Sequence, residues 1–168
     1  MRPLTEKEIR RSFVNCSRSE AAAMNLPPHL NDMPWDEREF LGWRDPRAPL
    51  RGYAVLWQDD RPLGIALRAA DSRMSSRTAA MCLLCESAQS GADVSLFTAR
   101  RAGEAGRNGN TIGQYICADL DCSHRVRTEI PPWLRDRDPD EVLPARIASL
   151  QARLDGFADH VVRPPDAG

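Results

Sequence analysis

The chain has 168 residues, 42% of them hydrophobic and 28% charged, with 23 basic side chains against 24 acidic. That length suits one domain with a real core and is short for two, and the near-neutral balance excludes the strongly basic composition of a dedicated nucleic-acid binder. No run approaches the roughly 18 apolar residues of a membrane span, and Met1-Arg2-Pro3-Leu4-Thr5-Glu6-Lys7-Glu8 lacks the apolar stretch of a secretory signal, so a cytoplasmic location is expected.

The first predicted element is a helix. Thr5 with Glu8 three residues on forms a capping box, followed by Ile9, Phe13 and Val14 at helical spacing. A second helical stretch, Ser19 to Met24, stops before Pro27-Pro28. Prolines 27, 28, 34, 46 and 49 make residues 25–51 an irregular wrap, pinned to the core by Trp35, Phe40, Leu41 and Trp43. Asp36, Glu37 and Glu39 read as a solvated helix face. Alternation of Tyr53, Val55 and Trp57 and of Leu63, Ile65 and Leu67 predicts a hairpin turning at Gln58-Asp59-Asp60-Arg61. A polar connector, 71–80, leads to the first cysteine pair. Val94 to Thr98 and Thr111 to Cys117 predict a second hairpin, joined by a glycine-rich loop in which Asn108-Gly109 favours a tight reversal. Ser123 to Arg127 continues as a short helix. In the last helix Leu143, Ile147, Leu150, Leu154, Phe157 and Val161 share one face. Asp138 and Glu141 offer capping, with Pro139 at the first helical position, while Pro144 delays or kinks the regular helix. Arg153 is expected on the polar side of this helix, away from any partner. The whole reads as an α+β fold of a single domain. Residues 1–73 form helix, wrap and hairpin, 74–130 a metal-binding unit, 131–162 the C-terminal helix and 163–168 a tail.

Four of the five cysteines fall in two pairs. Cys82-Leu83-Leu84-Cys85 is a C-x2-C knuckle, and Cys117 and Cys122 form a C-x4-C pair. Stable disulfides are disfavoured in a reducing cytosol, and four thiolates suit one Zn²⁺ in a closed tetrahedral shell. The competing readings are free buried thiols and a thioredoxin-like redox role for the first pair, which leaves the second pair unexplained. Knuckle, β-hairpin, then a second pair entering a helix is the order of a treble-clef zinc finger. Cys16, remote in sequence, reads as a small buried side chain. His124 reads as a solvated residue or one hydrogen-bonded near the metal. Four thiolates outweigh one dication by two charges, which gives a local role to the basic excess of residues 73–127, seven basic against five acidic. Arg100, Arg101, Arg125 and Arg127 are the expected compensating charges. Residues 1–72 balance at 11 each, and 128–168 carry five basic against eight acidic.

Catalysis is not indicated. The glycine loop at 101–113 lacks a P-loop ending, and histidines 29, 124 and 160 have no partner at recognisable spacing. A closed zinc shell also leaves no position for activating water.

Met81-Cys82-Leu83-Leu84-Cys85, Val94-Ser95-Leu96-Phe97 and Gly113 to Ser123, together with Phe13 to Ser17 and Phe40 to Pro46, resemble the elongation-factor-G-binding, FusB-type fusidic-acid-resistance family. The likeness is to the C-terminal treble-clef zinc finger of its short actinobacterial members, without the additional N-terminal helical bundle of the longer proteins. It implies that Cys82, Cys85, Cys117 and Cys122 ligate one structural zinc. It also implies that the finger binds elongation factor G and promotes its release from the ribosome. A docking surface of Phe97, Tyr115, Arg100, Arg101 and Arg107 is expected on the finger. The alternatives are a zinc-finger RNA or ribosome binder, with the small basic excess arguing for weak generic RNA affinity, and an unrecognised enzyme.

Overall fold

Alternating apolar residues between 40 and 69 build an antiparallel meander in the computed structural model, which describes residues 1–163. Its strands are β1 (Phe40–Arg44), β2 (Arg51–Gln58) and β3 (Arg61–Ala69). Gln58 pairs with Arg61, so the β2–β3 loop is Asp59-Asp60, both at positive φ (48° and 59°). This primed-turn geometry matches the strand twist. The second hairpin joins β6 (Val94–Arg100) to β7 (Thr111–Cys117), in register from Val94 opposite Cys117 to Arg100 opposite Thr111. Two residue pairs, Arg68 with Thr98 and Ala69 with Phe97, merge the hairpins into one five-stranded sheet of order β1-β2-β3-β6-β7.

The period of two in the strands supplies two apolar faces. Leu41, Trp43, Tyr53 and Val55 meet Leu4, Ile9, Ala21 and Met24, from the N-terminus and helices α1 (Glu6–Ser12) and α2 (Arg18–Ala23). The Thr5–Glu8 box caps α1 as expected, and a second box, Ser17 with Glu20, caps α2. On the opposite face Phe40, Leu56, Ile65, Phe97 and Ile116 pack against Leu150, Leu154, Phe157 and Val161 of α5 (Pro139–Val162). Between α1 and α2, Phe13 bridges to Gly64 and the Asn15 side chain takes up the Ala66 N–H and C=O (2.8 and 2.9 Å) and the Arg100 C=O (2.9 Å). Asn15 thereby closes the fork where β3 and β6 diverge.

Several expectations are corrected. The wrap of residues 25–51 contains a true strand, β1, whose five residues all pair with β2. The glycine loop holds a short helix, α3 (Gly103–Arg107), before Gly109 turns at φ 87°. Helix α5 runs from Pro139 through Pro144, where the ring removes only the hydrogen bond that its N–H would have made to Asp140. In its first turns Val142 is buried and Leu143 is 37% exposed, so the predicted apolar stripe begins one residue earlier. Of the predicted tail only Arg163 is described; residues 164–168 lie outside the described residues.

Candidate metal centre

Cys82 and Cys85 sit in the turn between β4 (Ala79–Met81) and β5 (Ala88–Ser90), a small separate hairpin. The turn is closed by Glu86 N–H to Cys82 C=O (2.9 Å) and Cys82 N–H to Ser87 C=O (3.2 Å), with Glu86 at φ 55°. Cys117 ends β7 and Cys122 begins α4 (Cys122–Thr128). All four sulfurs are buried and lie within 4.8 Å of one another. Cys82–Cys122 and Cys85–Cys117 are 3.7 and 3.6 Å apart. Zn–S bonds of about 2.3 Å in a tetrahedron place sulfurs roughly 3.8 Å apart, whereas a disulfide needs about 2.05 Å. The donor set therefore fits one structural zinc ion, held between a knuckle and a helix start in treble-clef order. Hydrogen bonding to the Cys117, Cys122 and Cys82 sulfurs draws the Cys85 pKa down, while Cys117, Cys82, Cys85 and burial push Cys122 well up, so the four thiols do not ionise together by themselves. Metal binding requires all four as thiolates and releases their protons.

The second cysteine pair is braced by β1 and the two residues before it. Arg38 pairs with Asp121 (2.9 Å), the Glu39 N–H donates to the Ser123 hydroxyl (3.0 Å), and Arg44 donates to Ala118 C=O (3.1 Å). Arg127 on α4 forms a two-pronged pair with Glu39, each contact 2.8 Å, and the Glu39 side chain is 3% exposed. Glu39 is thus buried, not the solvated residue expected. At Gly42 an added Cβ would stand 2.2 Å from the Leu120 carbonyl, inside the Cys117–Cys122 loop, where Leu120 itself adopts φ 63°. Gly42→Ala is expected to cost about 1–3 kcal/mol by overpacking and to speed zinc loss to a chelator. An unchanged denaturation midpoint with unchanged zinc off-rate would show that the loop tolerates displacement.

Of the four arginines expected to compensate the thiolates, Arg125 interacts with the Cys117 sulfur, while Arg100, Arg101 and Arg127 are engaged or placed elsewhere. The Ser87 hydroxyl lies 3.1 Å from the Cys85 sulfur, and the Gln89 amide donates to Cys117 (3.3 Å). Burial opposes the Arg125 charge, but Asp119, the Cys117 sulfur and Glu129 outweigh it and hold the guanidinium pKa above its ordinary value. Arg127 is committed to Glu39. Arg100 lies at the far end of the hairpin, six residues along β6 from Val94, or about 20 Å. Arg101 is drawn to the end of α5, donating to the His160 and Arg163 carbonyls (2.5 and 3.1 Å). His124 is exposed and outside the cluster. Cys16 is also outside it; burial, then Glu20, pushes its thiol up to about 11, so it stays protonated at neutral pH.

The five residues expected on the docking surface do not come together. Phe97 is fully buried in the core. Tyr115 is exposed beside the knuckle, its C=O accepting from Leu83 N–H (2.8 Å). Arg100 is four residues along β6 from Leu96, the partner of Tyr115, or about 13 Å away, and Arg101 and Arg107 follow it. Arg153 is not remote: it donates to Leu84 C=O (3.2 Å) and pairs with Glu86 (2.6 Å), clamping the knuckle to α5. Only tertiary placement reveals this, because its helical position is polar by pattern.

A family model described as FBP C-terminal treble-clef zinc-finger matches residues 8–161. The chain belongs to that family of FusB-type zinc-finger proteins. A solved structure, that of the fusidic acid resistance protein FusC, is similar at 21% identity and a TM-score of 0.46, over 76% of this chain and 52% of that one. The chain thus spans about half the length of that protein. None of the curated proteins matches the sequence. Among the described residues no helix is long and apolar enough to cross a membrane.

Proposed function

We propose that Cys82, Cys85, Cys117 and Cys122 hold one structural zinc, and that the chain is a cytoplasmic, non-catalytic module that binds translation elongation factor G. The resemblance and the family membership support the partner; binding promotes release of the factor from the ribosome. The observation that carries a docking role is apolar exposure on the part of the molecule that the metal makes most rigid. Met81, Leu83 and Tyr115 are 45%, 47% and 43% exposed and lie together at the knuckle, whereas the other exposed large apolar residues, Val14, Ile130, Trp133, Leu143 and Val162, lie on other segments. Large apolar side chains on a fixed backbone lose little entropy on docking and supply anchor contacts.

Calorimetry with purified elongation factor G tests this. Wild type should bind, and Leu83→Ser and Tyr115→Ala should each weaken binding by about tenfold or more, near 1.4 kcal/mol, with zinc content and melting temperature unchanged. Absence of wild-type binding would remove the partner. Tight binding by both variants would place the contact elsewhere.

A further inference from the structure

Strand register assembles a row of arginines that chain order scatters. Arg51 stands directly opposite Arg68 across β2 and β3, and Arg68 faces Thr98. Arg100 lies two residues beyond Thr98 on the same sheet face, opposite Thr111. These side chains border a cavity of about 290 Å³. An adjoining cavity of about 320 Å³ shares Asn15, Cys16, Glu20 and Arg100 with it and adds Arg101 and Arg107. The two walls together hold five arginines, and Glu20 is their one carboxylate. One oxygen of that carboxylate accepts from the Ser17 N–H and hydroxyl at 2.8 Å each.

Like charges directly opposite across strands destabilise a sheet. Here Glu20, which interacts with Arg100 and Arg51 through charge alone, is the one carboxylate set against five guanidiniums on the walls. Arg51, Arg100 and Arg107 make no ion pair among the described residues, and Arg68 reaches only Asp71, at 4.0 Å between two exposed side chains. The face is also held in place. Asn15 ties β3 to β6 beneath it, and Arg101 tethers the hairpin loop to α5. Exposed guanidiniums in excess of carboxylates, carried on a backbone held in place, make a site for an external polyanion.

We propose that this arginine face binds the phosphate backbone of RNA without reading its sequence. Guanidinium forks match phosphate oxygens. Val14 is the one large apolar residue exposed along the walls, so the aromatic and aliphatic anchors of a protein interface are missing here. The face is distinct from the knuckle and does not rest on the elongation-factor reading. Charge summed along the chain hides it, because its arginines come from three separate segments and acidic residues elsewhere cancel them.

Fluorescence anisotropy of the zinc-loaded chain with a labelled single-stranded RNA of about 20 nucleotides tests it between roughly 50 and 200 mM salt. Five phosphate contacts predict a slope of about −3.5 in log K against log salt, since each contributes about −0.7 on single strands. The double variant Arg51→Ala/Arg100→Ala should flatten the slope by about 1.4 and weaken binding at least tenfold at the lowest salt. It should unfold at the same or a higher temperature, because a repulsive row has been thinned. Arg107→Ala, at the exposed end of α3, should act in the same direction, and Tyr115→Ala should bind RNA normally. No RNA binding at the lowest salt, or variants that bind like wild type, would overturn the proposal. So would tighter binding of polyglutamate than of the RNA at equal charge and salt, which would assign the face to an acidic protein.

Discussion

Cys117→Ser is expected to abolish zinc binding and to unfold at least residues 74–130, with Cys82→Ser behaving alike. Structural zinc contributes roughly 10–16 kcal/mol of apparent binding free energy, as much as the whole stability of a typical domain. The sulfurs of Cys82 and Cys117 are fully buried, so a serine hydroxyl there loses the ligand and leaves a buried polar group. The β6–β7 hairpin meets β3 through only two residue pairs, and the polar contacts that Arg38, Glu39 and Arg153 make to the knuckle and α4 are expected to fall well short of the metal's contribution. Metal analysis should give zinc near zero in both variants, and their circular dichroism should lose cooperative melting. Cys16→Ser should keep full zinc. A Cys117→Ser protein that retains one zinc and wild-type melting would mean that this sulfur is not a ligand.

The second large effect is expected at Glu39. Its carboxylate is almost wholly buried and holds both terminal nitrogens of Arg127. Glu39→Ala leaves that guanidinium with the Ser123 carbonyl as its remaining partner. Removing one member of a buried pair costs about 3–5 kcal/mol; with Arg127 21% exposed, the lower end, about 3 kcal/mol, is expected. The double variant Glu39→Ala/Arg127→Ala should be more stable than the two single losses added together, because no unpaired charge remains. Urea unfolding of the four proteins measures this. A single-variant loss below about 0.5 kcal/mol, the scale of an exposed pair, would show that the contact is a surface one.

Features carried by local pattern were legible in the sequence. Thr5 and Glu8 define a helix start within four residues, and the cysteine spacing brackets a hairpin, whereas Asn108-Gly109, expected as a tight reversal, ends α3 with Asn108 at φ −81° and only Gly109 at positive φ. Features carried by pairing were not. β1 is five residues flanked by proline-rich chain, and its strand character comes from β2 alongside it rather than from its own composition. Glu39 resembles Asp36 and Glu37 in sequence, yet α4 covers it and leaves them near solvent. Arg153 sits on the polar side of its helix, and the knuckle happens to lie there. The arginine face has no signature in any single window, since Arg51, Arg68 and Arg100 meet only through two strand registers. For the metal centre, sequence supplied the four cysteines, and structure added the strand that supports half of them.

The zinc centre is tested most directly by X-ray absorption at the zinc edge on freshly purified wild-type protein. One zinc per chain with four sulfur neighbours at about 2.3 Å is the expected result. Absence of zinc, or a shell containing nitrogen or oxygen in place of any sulfur, would contradict it.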